Sequence, residues 1–220
     1  MTEYLIRNAD YIAAVKPPAL CSEETADGSG FCNLLKAENE GFLAPVYRLD
    51  RGVGGVMLYA RTTEAAAFFS ALVREHALEK EYVAILCGKP ANDAGELRDL
   101  LYYDRAKNKS YVVKKARGGV KGAILTYRTL GTWIDAENGR PRTMIAVRLQ
   151  TGRTHQIRVQ FASRGLPLFG DRRYGGEANP AGRDLSLWCR SVTLPAYREH
   201  PPVQLTSEAP FGKEITDDVD

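Results

Sequence analysis

The sequence is short of the residues that bind metals and build disulfide frameworks. Its four cysteines, Cys21, Cys32, Cys87 and Cys189, lie far apart and form no CxxC pair, which argues against a zinc ribbon or a redox dithiol. Only three histidines occur, His76, His155 and His200, and no two have metal-ligand spacing, so no metal site is expected. No glycine-rich phosphate loop follows any predicted strand, and with it goes the expectation of a nucleotide cofactor. No apolar run approaches the roughly 20 residues needed to span a bilayer. The N-terminus lacks the basic, apolar and small-residue succession of a signal peptide. The expected setting is therefore reducing, cytoplasmic and free of membrane. Internal repeats and low-complexity linkers are also missing.

What is present is enough apolar material for one core: 44% of 220 residues are hydrophobic. We expect one domain, residues 1–213, acting as a monomer, followed by an acidic tail at 214–220 that carries four carboxylates. The net charge of +3 understates how unevenly charge is placed. Between Arg105 and Lys121 there are seven basic residues and no acid, and between Arg140 and Arg173 eight arginines and one acid, Asp171. Half of the basic residues thus fall in two segments, either solvated faces or a surface that meets a polyanion.

Periodicity places a helix from Glu64 to about Glu79, capped by Thr62 or Thr63, with Ala65, Phe68, Phe69, Leu72, Val73 and His76 on one face. Tyr82–Cys87 is apolar on both faces and stops at Gly88 and Pro90, as a buried strand does. Further strands are expected over Ala123–Leu130 and Thr143–Leu149, and a short helix over Thr154–Arg164, ended by Gly165 and Pro167. Strands in runs with irregularly spaced helices indicate an α+β fold.

Three segments concentrate unusual chemistry. In Tyr47-Arg48-Leu49-Asp50-Arg51-Gly52 a carboxylate sits between two arginines at the entrance to a glycine-rich turn. It reads either as a presented reactive group or as a structural Asp bonding turn amides. Leu149 to Arg158 is rich in donors, including Arg153, Thr154, His155 and Gln156, at a strand-to-helix transition. That is either an anion site or an ordinary capped helix start. In Lys80-Glu81-Tyr82 an aromatic opens a buried strand, where core packing is the default.

In order and separation these segments resemble the three main motifs of the RluA family of pseudouridine synthases. The family's His-Arg-Leu-Asp followed by Thr-Ser-Gly corresponds to Tyr47-Arg48-Leu49-Asp50 followed by Val53-Gly54-Gly55. Its Lys-x-Tyr-x-Ala strand corresponds to Lys80, Tyr82 and Ala84. Its Thr-Gly-Arg-Thr-His-Gln-Ile-Arg-Val segment is unbroken from Thr151 to Val159, followed by Gly165, Pro167, Gly170-Asp171 and Tyr174-Gly175. The early Lys16-Pro17 and the late Leu187 and Glu208-Ala209-Pro210 extend the likeness over nearly the whole chain. Tyr47 in place of His, and Val53-Gly54 in place of Thr-Ser, depart from the pattern.

The resemblance implies a pseudouridine synthase fold: a central mixed, largely antiparallel sheet flanked by helices, with a cleft across it. It implies isomerisation of a uridine in ribosomal or transfer RNA without a cofactor. Asp50 is then the catalytic carboxylate, as nucleophile or as base, Arg158 its partner, and Tyr82 the active-site tyrosine. Arg48 would fill the stack vacated by a flipped base. Arg153, His155, Gln156, Lys114, Lys115 and Arg117 are candidates for RNA contact. The alternative from another class is an RNA-binding protein that kept the scaffold and lost catalysis, which product formation on RNA discriminates.

Overall fold

In a computed structural model the structure describes residues 2–175 and 183–212. The acidic tail expected at 214–220 lies outside the described residues. In chain order the elements are β1 (Tyr4–Arg7), β2 (Tyr11–Lys16), α1 (Phe31–Glu38), β3 (Ala44–Pro45), β4 (Gly54–Ala60), α2 (Thr63–Arg74) and β5 (Glu79–Cys87). There follow β6 (Ala94–Asp104), β7 (Lys109–Val113), β8 (Val120–Ile134), β9 (Pro141–Leu149), α3 (Gln156–Ala162), β10 (Leu187–Leu194) and β11 (Val203–Thr206). They fall into two compact units, one comprising Met1–Glu81 and Trp188–Ala209, the other Tyr82–Leu187 and Pro210–Asp220.

The first unit is organised by β4, whose seven residues are all buried. Gly54 to Ala60 offers apolar side chains to both faces, as a strand covered on both sides must. β2 runs antiparallel to it, from Tyr11 opposite Ala60 to Lys16 opposite Gly55. β10 runs parallel to it, with Trp188 opposite Gly54 and Cys189 opposite Gly55. The sheet is therefore mixed. Phe31 and Leu35 of α1 and Ala65 and Phe69 of α2 are buried, and Phe69 meets Tyr11 edge-on at 5.4 Å.

Thr62 caps α2 by accepting from the Ala65 amide at 3.1 Å, leaving one fewer orphan donor. The helix ends at Arg74, five residues before the periodicity does. His76 turns left-handed (φ 58°), and Glu79 already belongs to β5. Histidine is among the few non-glycine residues that take this backbone readily, but most histidines do not, so His76 alone does not mark the reversal.

In the second unit β9, β8, β6 and β7 form an antiparallel ladder. Leu101, Ala123 and Val159 pack together beneath it, joined by Val112 and Tyr174. β8 is longer than expected, 15 residues, because both β6 and β9 pair along it. β6 and β7 are strands that apolar alternation alone does not announce, since most of their side chains are half-buried or exposed. α3 begins two residues later than expected, behind His155, which is itself left-handed (φ 56°). Gly165 (φ 74°) follows its end as anticipated.

Candidate active site

In the first unit residues 47–52 form the loop entering β4. Tyr47 and Leu49 point inward, Arg48 is exposed and Asp50 half-buried. The alternation fixes which way each side chain faces. Leu49 is gripped at both backbone ends by one hydroxyl: its amide donates to Ser22 Oγ at 3.0 Å, and Ser22 Oγ donates to its carbonyl at 3.0 Å. Ser22 is held in turn by Tyr59, whose hydroxyl donates to the Ser22 carbonyl at 2.6 Å. The Asp50 carbonyl accepts from Val53 N at 2.9 Å, closing the turn. Arg51 Nε donates to Ala19 O at 2.8 Å, so the residue after Asp50 is tied to the same neighbouring loop.

Lys16 lies beneath this loop with no exposed surface. Its ammonium donates to the Pro17 carbonyl at 2.9 Å and the Leu20 carbonyl at 2.8 Å. Burial pushes its pKa down to about 8, while Cys21 and the Asp50 carboxylate pull the other way. The Lys16 ammonium thus lies within the field of the Asp50 carboxylate. Arg48, by contrast, pairs with Glu23 at 3.1 Å with both side chains more than half exposed. Such a pair contributes little and is readily exchanged for another anion.

The departures from the family pattern have physical counterparts. The Tyr47 hydroxyl donates to the Val56 carbonyl at 2.7 Å, spanning the turn, and Lys80 Nζ lies 5.2 Å from its ring centroid. A Cβ on Gly54 would fall 2.2 Å from Trp188 Cζ3 and 2.9 Å from the Lys16 carbonyl. The serine usual in the family therefore has no room here, because the Trp188 indole occupies its place. Gly55 keeps the family's glycine for a separate reason: φ is 115°, and a Cβ would meet the Cys189 carbonyl at 2.3 Å.

In the second unit Tyr82 is buried on β5. Arg158 is buried on α3 and held by both oxygens of Asp171, Nε to Oδ2 at 2.7 Å and Nη2 to Oδ1 at 2.9 Å. The Tyr174 ring lies 5.2 Å from its guanidinium carbon. Asp171 Oδ1 also accepts from the amides of Arg173 and Tyr174. This fork fixes the plane of the guanidinium, and Asp171 is the residue that sequence reasoning passed over. Its signal was there, as the only acid in a run of eight arginines.

His155 and Gln156 face inward. His155 is buried and its Nδ1 lies 2.9 Å from the Tyr174 hydroxyl. Gln156 donates to the Ile124 carbonyl and accepts from Thr151 Oγ1 and the Arg153 amide. Arg153 is half-exposed, its Nε anchored on the Gly122 carbonyl at 2.9 Å. Lys114, Lys115 and Arg117 are exposed between β7 and β8, Arg117 lying over the Tyr102 ring at 5.0 Å.

For a metal, the described residues offer one group, Asp10, Glu199 and His200, with ligand atoms within 4.8 Å of one another. Asp10 already accepts from Arg198 at 2.6 Å and meets His200 at 3.1 Å, so the group is satisfied as an ion-pair cluster. No described helix is long and apolar enough to cross a membrane.

Comparison with known proteins places these residues in a family. Residues 10–163 match the model of the RNA pseudouridylate synthases. An uncharacterized RNA pseudouridine synthase of Zymomonas mobilis is 30% identical over 97% of this chain and 95% of its own length. The ribosomal large subunit pseudouridine synthase D of Vibrio vulnificus is 32% identical over 79% of this chain, which spans about half (53%) of that protein. Among solved structures, human RNA pseudouridylate synthase domain containing 1 superposes with a TM-score of 0.81 at 19% identity, covering 98% of this chain and 86% of that one. That likeness establishes the pseudouridine synthase fold. The chain belongs to the RNA pseudouridylate synthase family.

Proposed function

We propose that this chain isomerises uridine to pseudouridine at a specific position in structured RNA, ribosomal or transfer, without a cofactor and with Asp50 as the essential carboxylate. The observation that carries the reading is that the family match spans Asp50, Tyr82 and Arg158 together. The reaction exchanges a carbon–nitrogen glycosidic bond for a carbon–carbon bond within one nucleotide, so it needs no redox partner and no transferred group. It asks of Asp50 a fixed orientation, as nucleophile or as base. The Ser22 clamp on Leu49 and the Arg51 tie to Ala19 brace that turn.

In this reading Arg158, its plane set by Asp171, and Tyr82 act with Asp50 on the target uridine. A stacked uridine hides its reactive carbon and must be flipped, at a cost of a few kcal/mol. Arg48, exposed and weakly paired, takes the vacated stack. Arg153, Lys114, Lys115 and Arg117 hold backbone phosphates, while His155 and Gln156 position the Arg153 segment. Residues 1–213 act as one catalytic domain in a cytoplasmic monomer. Site-resolved pseudouridine mapping of total RNA from cells with and without the gene tests the reading. One or a few uridines should lose the modification in the deletion, and identical maps would contradict it.

A further inference from the structure

Beside the Asp50 turn, within the first unit, lies a cavity of about 310 Å³ that the chemistry above does not use. Its lining includes Ala19, Cys21, Thr25, Asp27, Ser29 and Arg51. That volume is at the lower end of the roughly 300–1,000 Å³ of small-ligand sites. Arg51 belongs to the same turn as Asp50, so the cavity borders that turn.

The cavity carries two opposite charges that do not neutralise each other. Among the described residues, no ion pair joins Arg51 to Asp27, and neither has another oppositely charged partner. Both are nonetheless oriented. Arg51 spends its Nε on the Ala19 carbonyl, which aims the guanidinium fork. Asp27 Oδ1 accepts from the Ser29 amide at 3.1 Å and the Ser29 hydroxyl at 2.8 Å. Thr25 first, then Ser29, hold the carboxyl down at about 2, so it presents a full anion at any working pH. Two unpaired, aimed charges in one cavity are complementary to a ligand edge that offers an acceptor beside donors.

We propose that this cavity binds a nucleotide flanking the target uridine and prefers guanosine; the proposal rests on the RNA reading above. Of the four bases, guanine alone offers two adjacent N–H donors, N1 and N2, on its pairing edge, with the acceptor O6 beside them. A carboxylate takes the donors and a guanidinium takes O6 or the adjoining phosphate. Uracil offers a single donor between two acceptors, while adenine and cytosine each offer one amino group. Arg51 thus contributes affinity and Asp27 contributes choice.

Cys21 supplies a readout that does not depend on catalysis, because it lines the cavity and is half-exposed. The experiment measures alkylation of Cys21 by iodoacetamide, read by peptide mass spectrometry. The protein is taken alone and saturated with RNA hairpins that differ only in the bases flanking the target uridine. Pseudouridine yield is measured on the same samples. Guanosine-flanked RNA should slow alkylation roughly tenfold or more relative to the other bases, the discrimination expected of one bidentate base contact. Asp27→Asn should level the four RNAs. Ala26→Phe, which plugs the cavity from an exposed position without touching the Asp27 bonds, should slow alkylation with no RNA present and remove the base preference. Unchanged alkylation under saturating RNA, or equal protection by all four bases, overturns the proposal even where pseudouridine forms. Guanosine-dependent protection with no pseudouridine on any hairpin sustains the subsite and rejects catalysis instead.

Discussion

Titrating Lys16 should move stability and activity in opposite directions. Its ammonium is wholly buried and has a pKa of about 8, against an ordinary value of 10.5. Below pH 8 both folded and unfolded chains carry the proton, and the folded state bears the full cost of burying it. Between pH 8 and 10.5 the unfolded chain holds the proton and the folded chain has released it, so stability rises with pH by up to about 1.4 kcal/mol per unit. Over the whole window this amounts to roughly 3 kcal/mol. Activity should fall through the same window, because the cation in the field of Asp50 disappears. Denaturant melts of the native chain and of Lys16→Met from pH 7 to 10 isolate the effect, since all other titrations cancel in the difference. The native chain should gain on the variant by roughly 2–3 kcal/mol across the range. A difference that stays flat above pH 8 would refute the argument that this lysine is strained by burial.

Other expectations follow from particular contacts. Gly54→Ser should lower stability by about 1–3 kcal/mol through overpacking against Trp188; a double-mutant cycle with Trp188→Leu should show coupling, and strict additivity would clear Trp188. Replacing Lys114, Lys115 and Arg117 together with Ala should reduce the slope of log affinity for RNA against log salt by roughly 2; an unchanged slope places the RNA elsewhere. Arg48→Ala should slow single-turnover pseudouridine formation more on a well-stacked target loop than on a loosened one, and equal defects would leave Arg48 as a brace for the turn.

Much of the first site was legible because it is local. The Tyr47-to-Gly52 turn and the glycine-rich entry to β4 follow from residues adjacent in sequence. What was hidden depends on distant partners. Ser22 clamps Leu49 from 27 residues away, and Trp188 fills the space over Gly54 from another strand. Asp171 stands out as the lone acid among eight arginines, but its pairing with Arg158 depends on how the chain returns after α3. The helix ends at His76 and His155 were missed by a few residues because a left-handed histidine leaves no signature in composition. β6 and β7 escaped because their side chains are only partly buried, so apolar alternation is weak where a strand faces solvent.

The central claim is that Asp50 is the reacting carboxylate of an RNA-modifying isomerase, and Asp50→Asn tests it most directly. The change keeps the size of the side chain and removes its charge, so binding and chemistry should separate. With purified enzyme in excess over a target RNA identified by mapping, the variant should bind with affinity close to that of the native chain and form no pseudouridine. Product from the variant at a rate near the native one would contradict the account.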